Sequence, residues 1–480
     1  MDTTYLISQS TALTIVIIVS LVFVILGIYY SKKFLGLNNY LTANRNVGLF
    51  SLSTSLVASA LGAWILFGPV AAATWGGLGA VIGYALGTAF PMIFLIFLGK
   101  KIRKDFPMGS SLIEFMRKKF GKSLFRLILL MTIFYMFIFL CAEVTAVSVL
   151  INYISGTKLW ITALIVLLTT LTYTLYGGLR ASIFTDNIQM IVIGVLLLIA
   201  VFYISSLDGD KFSFDFIDKK NPQLLSASYI PGYTAGFTFF IAVAATNLFH
   251  QGNWQRVYAA KNYETLRKSL IVSFLIIIPI VFFMGFLGMV SFSIDETNRP
   301  DLGFFILLLR EQTEFLSLTV IILGLALTIS TVDTLVNAIS SLLVVDGKAT
   351  FKFKTKKDYL KLSKYFIIFL SLIAFFVASR GFDILYLFLL ADLFCCAFVL
   401  TVFYSFYNKN IKEKTAYISI IIGLIGGFLM FPFPDFSRSL LVGLLLPAEI
   451  FAPFILQSLL FLSFVVATFL PAIILRIKNI

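Results

Sequence analysis

The sequence predicts an all-α polytopic membrane protein of about thirteen transmembrane helices, two of them broken. Three observations carry that expectation. Of 480 residues, 60% are hydrophobic and only 12% charged, whereas soluble domains carry about 25% charged residues. Mean hydropathy is +0.99, and apolar runs repeatedly reach the roughly 20 residues that a membrane-spanning helix requires. The runs are also continuous rather than alternating, which argues against a membrane β-barrel.

The first run, 11–30, follows a leader without positive charge and precedes Lys32 and Lys33. That is the reverse of a cleavable signal peptide, so it reads as a retained helix. The second, 47–75, contains the small-residue segment A-S-A-L-G-A at 58–63 and then Gly68-Pro69, and reads as interrupted. Spans 78–99, 124–153 and 159–176 follow; Gly177-Gly178 makes the turn into 181–206, with Arg180 snorkelling to the membrane edge. The outer loop at about 207–231 has room for only a short helix. The seventh span, 233–259, turns polar at Asn247, His250, Gln251, Gly252 and Asn253 and reads as the second interruption. The remaining runs are 269–292, 315–345, 365–379 (the shortest), 384–407, 416–433 and 451–475.

The second and seventh spans are five apart and therefore cross in opposite directions. Paired broken helices in corresponding positions point to an inverted repeat around a midplane binding site. The bland alternative is that the small residues at 58–63 merely let helices pack closely. We divide the single transmembrane domain, 1–480, into an extra helix 11–30, a first core repeat 47–206, a second core repeat 233–407 and additional helices 416–475.

A net charge of +14 invites a nucleic-acid reading, but its distribution argues otherwise. With the amino terminus outside, most Lys and Arg fall in the inner segments, among them 100–104, 117–122 and 348–364. This is the positive-inside rule, and it places the carboxyl terminus in the cytoplasm. The partners expected are therefore membrane lipid and a small solute rather than DNA or RNA; nothing in the sequence specifies an oligomeric state. Cys141, Cys395 and Cys396 all lie within spans and form no metal-binding pattern.

Four carboxylates sit inside spans, Glu143, Asp186, Asp333 and Asp392, and no Lys or Arg lies at comparable depth, because Arg180, Arg256 and Arg310 fall near span ends. Intramembrane acids are functional candidates by default. Left unpaired in low dielectric they bind cations or take up protons; the structural alternative is a protonated acid bonding a neighbouring helix. Residues 326–334 read A-L-T-I-S-T-V-D-T, and at helical spacing Ser330, Asp333, Thr334 and Asn337 share one face. Such a stripe of oxygens suits a hard cation. No nucleophile–base pair or His/Cys cluster lies in the spans, so the chain does not read as an enzyme.

Four segments resemble one family. G-G-L-R-A-S-I-F-T-D-N-I-Q at 177–189 is similar to the motif after the fourth core helix of the sodium:solute symporters, and S-T-V-D-T at 330–334 to their eighth core helix. Q-G-N-W-Q-R-V-Y-A-A-K at 251–261 resembles the cytoplasmic end of their sixth, and A-S-A-L-G-A-W-I-L-F-G at 58–68 the unwound first helix of their proline carriers. The matches run in the expected order, and one helix ahead of a ten-helix core fits the family's LeuT-type fold.

The resemblance implies Na⁺-coupled symport of a small polar organic solute, with Na⁺ as the coupling ion, in an integral membrane protein of the bacterial inner membrane type. It implies a sodium site from the carbonyls of Ala58, Leu61 and Leu327 and the hydroxyls of Ser330 and Thr331. Asp186, Asp333 and Thr334 become candidates for a second cation site, although a carboxylate at Asp333 departs from the family's hydroxyl there. The solute is expected beside the unwound helices, near Ser59, Trp64, Glu143, Asn247, His250, Gln251 and Asp392. Ala60 stands where proline carriers have an acid, so proline is not supported. The lone His250 has a simpler reading, an interhelical hydrogen bond. Proton coupling in the same fold, a sensor or a channel are the rival readings.

Overall fold

A computed structural model describes residues 5–34, 36–207, 209–294, 299–310, 313–347, 356–408, 410–434, 436, 438–439 and 453–477. Among the described residues the secondary structure is helical, apart from two isolated bridges. The principal helices are α1 (Gln9–Ser31), α2 (Leu49–Ala60), α3 (Gly68–Asp105), α4 (Lys122–Ser155), α5 (Leu159–Leu207), α6 (Ile230–Phe249) and α7 (Gln251–Ala259). They are followed by α8 (Tyr263–Ile294), α9 (Glu314–Val345), α10 (Lys356–Arg380), α11 (Ile384–Tyr404), α12 (Glu413–Met430) and α13 (Pro453–Ile477). The start of the expected span 451–475 and part of the basic segment 348–364 lie outside the described residues.

Eleven described helices are long and apolar enough to cross a membrane, two fewer than the thirteen expected. The difference lies at two glycine corners and one short half-helix. α5 runs through Gly178 at φ +60° and ψ −150°, which divides it where the sequence predicts a turn. α3 is divided likewise at Gly77, φ +53° and ψ −149°. Its first segment then continues the crossing that the short helix α2 begins. Both corners need glycine, because positive φ places a side chain's Cβ against the backbone. At Gly77 an added Cβ would also meet the Leu224 carbonyl at 2.2 Å.

The bundle is arranged around α9. In its most apolar stretch 83% of residues are buried, against 28% for α1; α9 is the axis and α1 a peripheral helix. Around this axis, small residues let backbones approach closely, as they do in membranes. The Gly79, Gly83 and Gly87 face of α3 meets the backbone of α6, and a Cβ on Gly83 would lie 2.0 Å from the Gly236 carbonyl. Among its described residues the loop at about 207–231 carries a short helix, Phe214–Lys220, and a single turn, Pro222–Leu224, as its polarity suggests.

Both interrupted helices are present. α2 stops at Ala60 and the chain resumes helix at Gly68; α6 stops at Phe249 and α7 starts at Gln251. Their ends are joined by an isolated bridge. Val47 N–H donates to the Ala259 carbonyl and Lys261 N–H to that of Val47, each at 3.0 Å.

Replacing Gly83 by Ala forces α3 away from α6 and should cost about 1–3 kcal/mol, the usual range for overpacking. A Cβ on Gly194 meets nothing within 4 Å, so Gly194→Ala should shift stability by less than about 0.5 kcal/mol. Thermal unfolding in detergent checks this; equal Tm values for the two variants would refute the close approach.

Candidate ion and solute site

The site begins with a helix that stops inside the bundle. The last N–H bond of α2 runs from Leu61 to the Val57 carbonyl at 3.0 Å. Leu61 and Gly62 are then extended, at φ −108°, ψ 91° and φ −90°, ψ −176°. The carbonyls of Ala58 and Leu61 therefore lie past the last helical donor and lack an intrahelical partner. Both residues are fully buried. Leu327 differs from them, because α9 is continuous there and its carbonyl keeps a helical partner.

α9 lies directly against the break. An added Cβ on Gly62 would meet Thr331 Oγ1 at 2.8 Å and Glu143 Oε1 at 2.1 Å, so both groups face the unwound backbone. Thr331 Oγ1 and Glu143 Oε1 are buried without a hydrogen-bond partner. Glu143 Oε2 accepts the Ala63 N–H at 2.9 Å. Glu143 thus caps the broken backbone. Ser330 Oγ donates to Asp186 Oδ1 at 2.7 Å, which leaves its lone pairs able to meet a cation.

The second break is treated differently. Asn253 Nδ2 donates to the Asn247 carbonyl at 2.9 Å and Trp254 Nε1 to the Leu248 carbonyl at 2.7 Å. Side chains of α7 close the carbonyls that α6 leaves open. The first break keeps its oxygens for something else.

The acid cluster on the other side of α9 corrects one expectation. Arg256 does not fall at a span end; it is fully buried and pairs with Asp186, Nη2 to Oδ2 at 2.7 Å. Its Nε donates to Ser55 Oγ at 2.7 Å, Nη1 to the Gly252 carbonyl at 3.0 Å and Nη2 to Thr334 Oγ1 at 3.1 Å. The reason is the break at His250, which turns the short helix α7 into the bundle and carries Arg256 inward. Asp186 also accepts Ser55 Oγ at 2.6 Å. Asp333 takes four hydroxyls: Tyr173 at 2.6 Å, Ser182 at 2.8 Å, Thr185 at 3.2 Å and Thr334 at 3.3 Å. The candidates Asp186, Asp333 and Thr334 are brought together, but around a cation the protein itself supplies.

A separate cavity of about 30 Å³ lies between the two breaks. One water needs roughly 10–15 Å³ on this measure, so the space is small. Of the residues expected to meet solute, Ser59, Trp64, Asn247, His250 and Asp392 line it, as does Thr331. Glu143 and Gln251 do not. Glu143 is turned to the backbone, and Gln251 Nε2 donates to the Ser110 carbonyl at 3.0 Å and to Ser341 Oγ at 3.4 Å. Sequence reasoning missed Tyr84, Phe139, Thr246 and Phe388, which with Ala60 and Val243 complete the lining. His250 Nδ1 is buried without a partner, so the simple interhelical bond is not made at that nitrogen. Outside the spans, Asp346 ends α9, and burial pushes its carboxyl up to about 7 against the pull of the Ser111 hydroxyl.

The description of the sodium:solute symporter family matches residues 40–423 of the chain. A spermidine transporter of Candida albicans is 26% identical over 78% of this chain and 71% of that protein. A sodium/glucose cotransporter of Vibrio parahaemolyticus is 28% identical, and a sodium/myo-inositol cotransporter 2 of Bos taurus 26% identical, over 50% and 52% of this chain. The chain spans only 48% and 40% of those two proteins. Among solved structures, a Na⁺-coupled sialic acid symporter in a substrate-bound outward-open state superposes with a TM-score of 0.71 at 17% identity, covering 96% of this chain and 97% of that one. Mhp1, a nucleobase-cation-symport-1 family transporter, gives 0.57 at 15% identity over 92% and 95%. The chain shares their LeuT-type fold.

Removing Arg256 strands Asp186 in the bundle. Arg256→Met should destabilise by about 3–5 kcal/mol, as loss of one partner of a buried pair does, and adding Asp186→Asn should recover most of it. Thermal unfolding of the single and double variants measures the coupling; a single variant as stable as the parent would show that the pair holds nothing.

Proposed function

From its membership of the sodium:solute symporter family, to which the chain belongs, we propose that it couples Na⁺ entry to uptake of a small polar organic solute by alternating access. Na⁺ is the family's coupling ion, and an integral membrane transporter is the class its relatives define. One observation supports the residue assignment most. The carbonyls of Ala58 and Leu61 are freed at the break, α9 approaches that break at Gly62, and there Thr331 Oγ1 has no hydrogen-bond partner. Neutral oxygens from two helices suit Na⁺, a hard cation held by oxygen ligands. Ser330 and Leu327, one helical turn apart on α9, complete the proposed set.

In this reading Na⁺ arriving from outside links α2 to α9 and preforms the neighbouring cavity, which shares Thr331 with the ion site. Ion and solute then tighten each other's binding by the same factor. With an inward-negative potential, each charge carried inward gains about 2.3 kcal/mol per 100 mV. The repeats 47–206 and 233–407 supply one broken helix each. We place the amino terminus outside and the carboxyl terminus in the cytoplasm of a bacterial inner membrane, following the basic inner segments. The relatives are named for a polyamine, a sugar and a cyclic polyol.

Proton coupling finds less support. Asp186 and Asp333 face Arg256 and a ring of hydroxyls, and neither lines the cavity.

Uptake into proteoliposomes should require Na⁺ outside and fall to background when K⁺ replaces it at clamped pH; uptake indifferent to that exchange would sink the proposal. Ser330→Ala combined with Thr331→Val should raise the Na⁺ concentration for half-maximal uptake at least tenfold, about 1.4 kcal/mol of binding. Unchanged sodium dependence would refute these two ligands. Asp333→Ser, which keeps an oxygen but removes the charge, should leave the number of Na⁺ carried per solute unchanged in paired flux measurements.

A further inference from the structure

We infer that the solute is an organic cation, a compact ammonium compound seated between two aromatic pairs and held by Asp392; this rests on the symport reading above. The cavity between the broken helices has an unusual lining for its size. On one side Trp64 stacks on Tyr84, ring centroids 5.4 Å apart and planes 16° apart. On the other, Phe139 meets Phe388 edge to face at 4.7 Å. All four rings line the space. Aromatic faces attract ammonium groups, and do so most strongly where water is excluded.

The charge argument is independent of the rings. Asp392 is the one acid in the lining, and no Lys or Arg stands with it. Of the other intramembrane acids, Asp186 is paired with Arg256 and Asp333 with four hydroxyls, while Glu143 lies outside the lining with one oxygen on the Ala63 N–H. Asp392 is met by one hydroxyl, Thr246 Oγ1 to Oδ1 at 2.6 Å. A buried carboxylate is tolerated when paired, and here the partner that fits is a mobile cation entering from the cavity. A sugar or polyol brings no positive charge to that carboxylate. Carriage of a singly charged solute together with one Na⁺ moves two positive charges inward per cycle.

The test uses the full-length protein in proteoliposomes adsorbed on a solid-supported membrane, with transient currents recorded in NaCl. Ethanolamine, choline and putrescine are the cationic probes; glucose, myo-inositol and sialic acid are the neutral and anionic ones. At least one amine should evoke an inward current and the other three probes none. Asp392→Asn should abolish the amine current while the upward Tm shift produced by Na⁺ persists. Phe388→Leu, which keeps the charge and the bulk of the wall, should raise the half-saturating amine concentration severalfold. Currents from glucose or inositol with silent amines would overturn the inference. So would silence from all three amines while the Na⁺ shift persists. Loss of the Na⁺ shift in Asp392→Asn would reassign Asp392 to the coupling ion and likewise overturn it. Should Asp392→Asn not fold, Phe388→Leu carries the test, and an unchanged amine response there counts against the aromatic seat. Amine accumulation that survives replacement of Na⁺ by K⁺ would sink the symport reading and leave the cationic solute standing.

Discussion

Everything distinctive in this protein follows from one constraint: a backbone that leaves the helix inside a membrane must still find partners for its amides and carbonyls. Hydrocarbon offers none, so broken helices survive only where protein or an enclosed cavity satisfies them. Here the two breaks meet the requirement in opposite ways. At the second, Asn253 and Trp254 close the open carbonyls with their own side chains. At the first, Glu143 takes an orphan amide, and the carbonyls of Ala58 and Leu61 have passed the last helical donor. The asymmetry separates a break whose carbonyls side chains close from one whose carbonyls stay open beside the proposed ion site.

The charges obey the same constraint. Asp186 and Asp333 lie beside α9, but Arg256 and the hydroxyls of Ser55, Tyr173, Ser182, Thr185 and Thr334 surround them. A guanidinium fixed to the chain occupies the space where a second mobile cation would otherwise be sought. Its donors are rigidly forked and suit a carboxylate better than a lysine would. The cluster therefore ties α2, α5, α7 and α9 together.

Much of this was legible in the sequence. The apolar runs, the Gly178 turn and both interruptions follow from composition and small-residue pattern, because hydrocarbon thickness imposes length and glycine marks corners. Ser330 stands out because it shares a helix face with Asp333, Thr334 and Asn337, whereas Thr331 enters only through the resemblance of the S-T-V-D-T segment. Arg256 was misplaced for a physical reason: counting residues along a span assumes a continuous rise, and the break at His250 removes that assumption. The partners of Asp333 were invisible because Tyr173 and Ser182 flank the Gly178 corner, and only its geometry brings both to α9. Tyr84, Phe139 and Phe388 looked like ordinary hydrophobic filling, since nothing in a single apolar run distinguishes a cavity wall from a packing face.

The bridge between Val47 and Ala260 has a consequence for motion. Its two backbone hydrogen bonds fasten the beginning of one broken helix to the end of the other. The inner half-helices α2 and α7 are in effect yoked, as two oars lashed at the handle. Any movement of one that left the other in place would break both hydrogen bonds. Arg256 and Ser55 stand on these two yoked segments, and both bond Asp186 of α5. A shift of the yoked pair away from α5 would therefore open the buried ion pair as well.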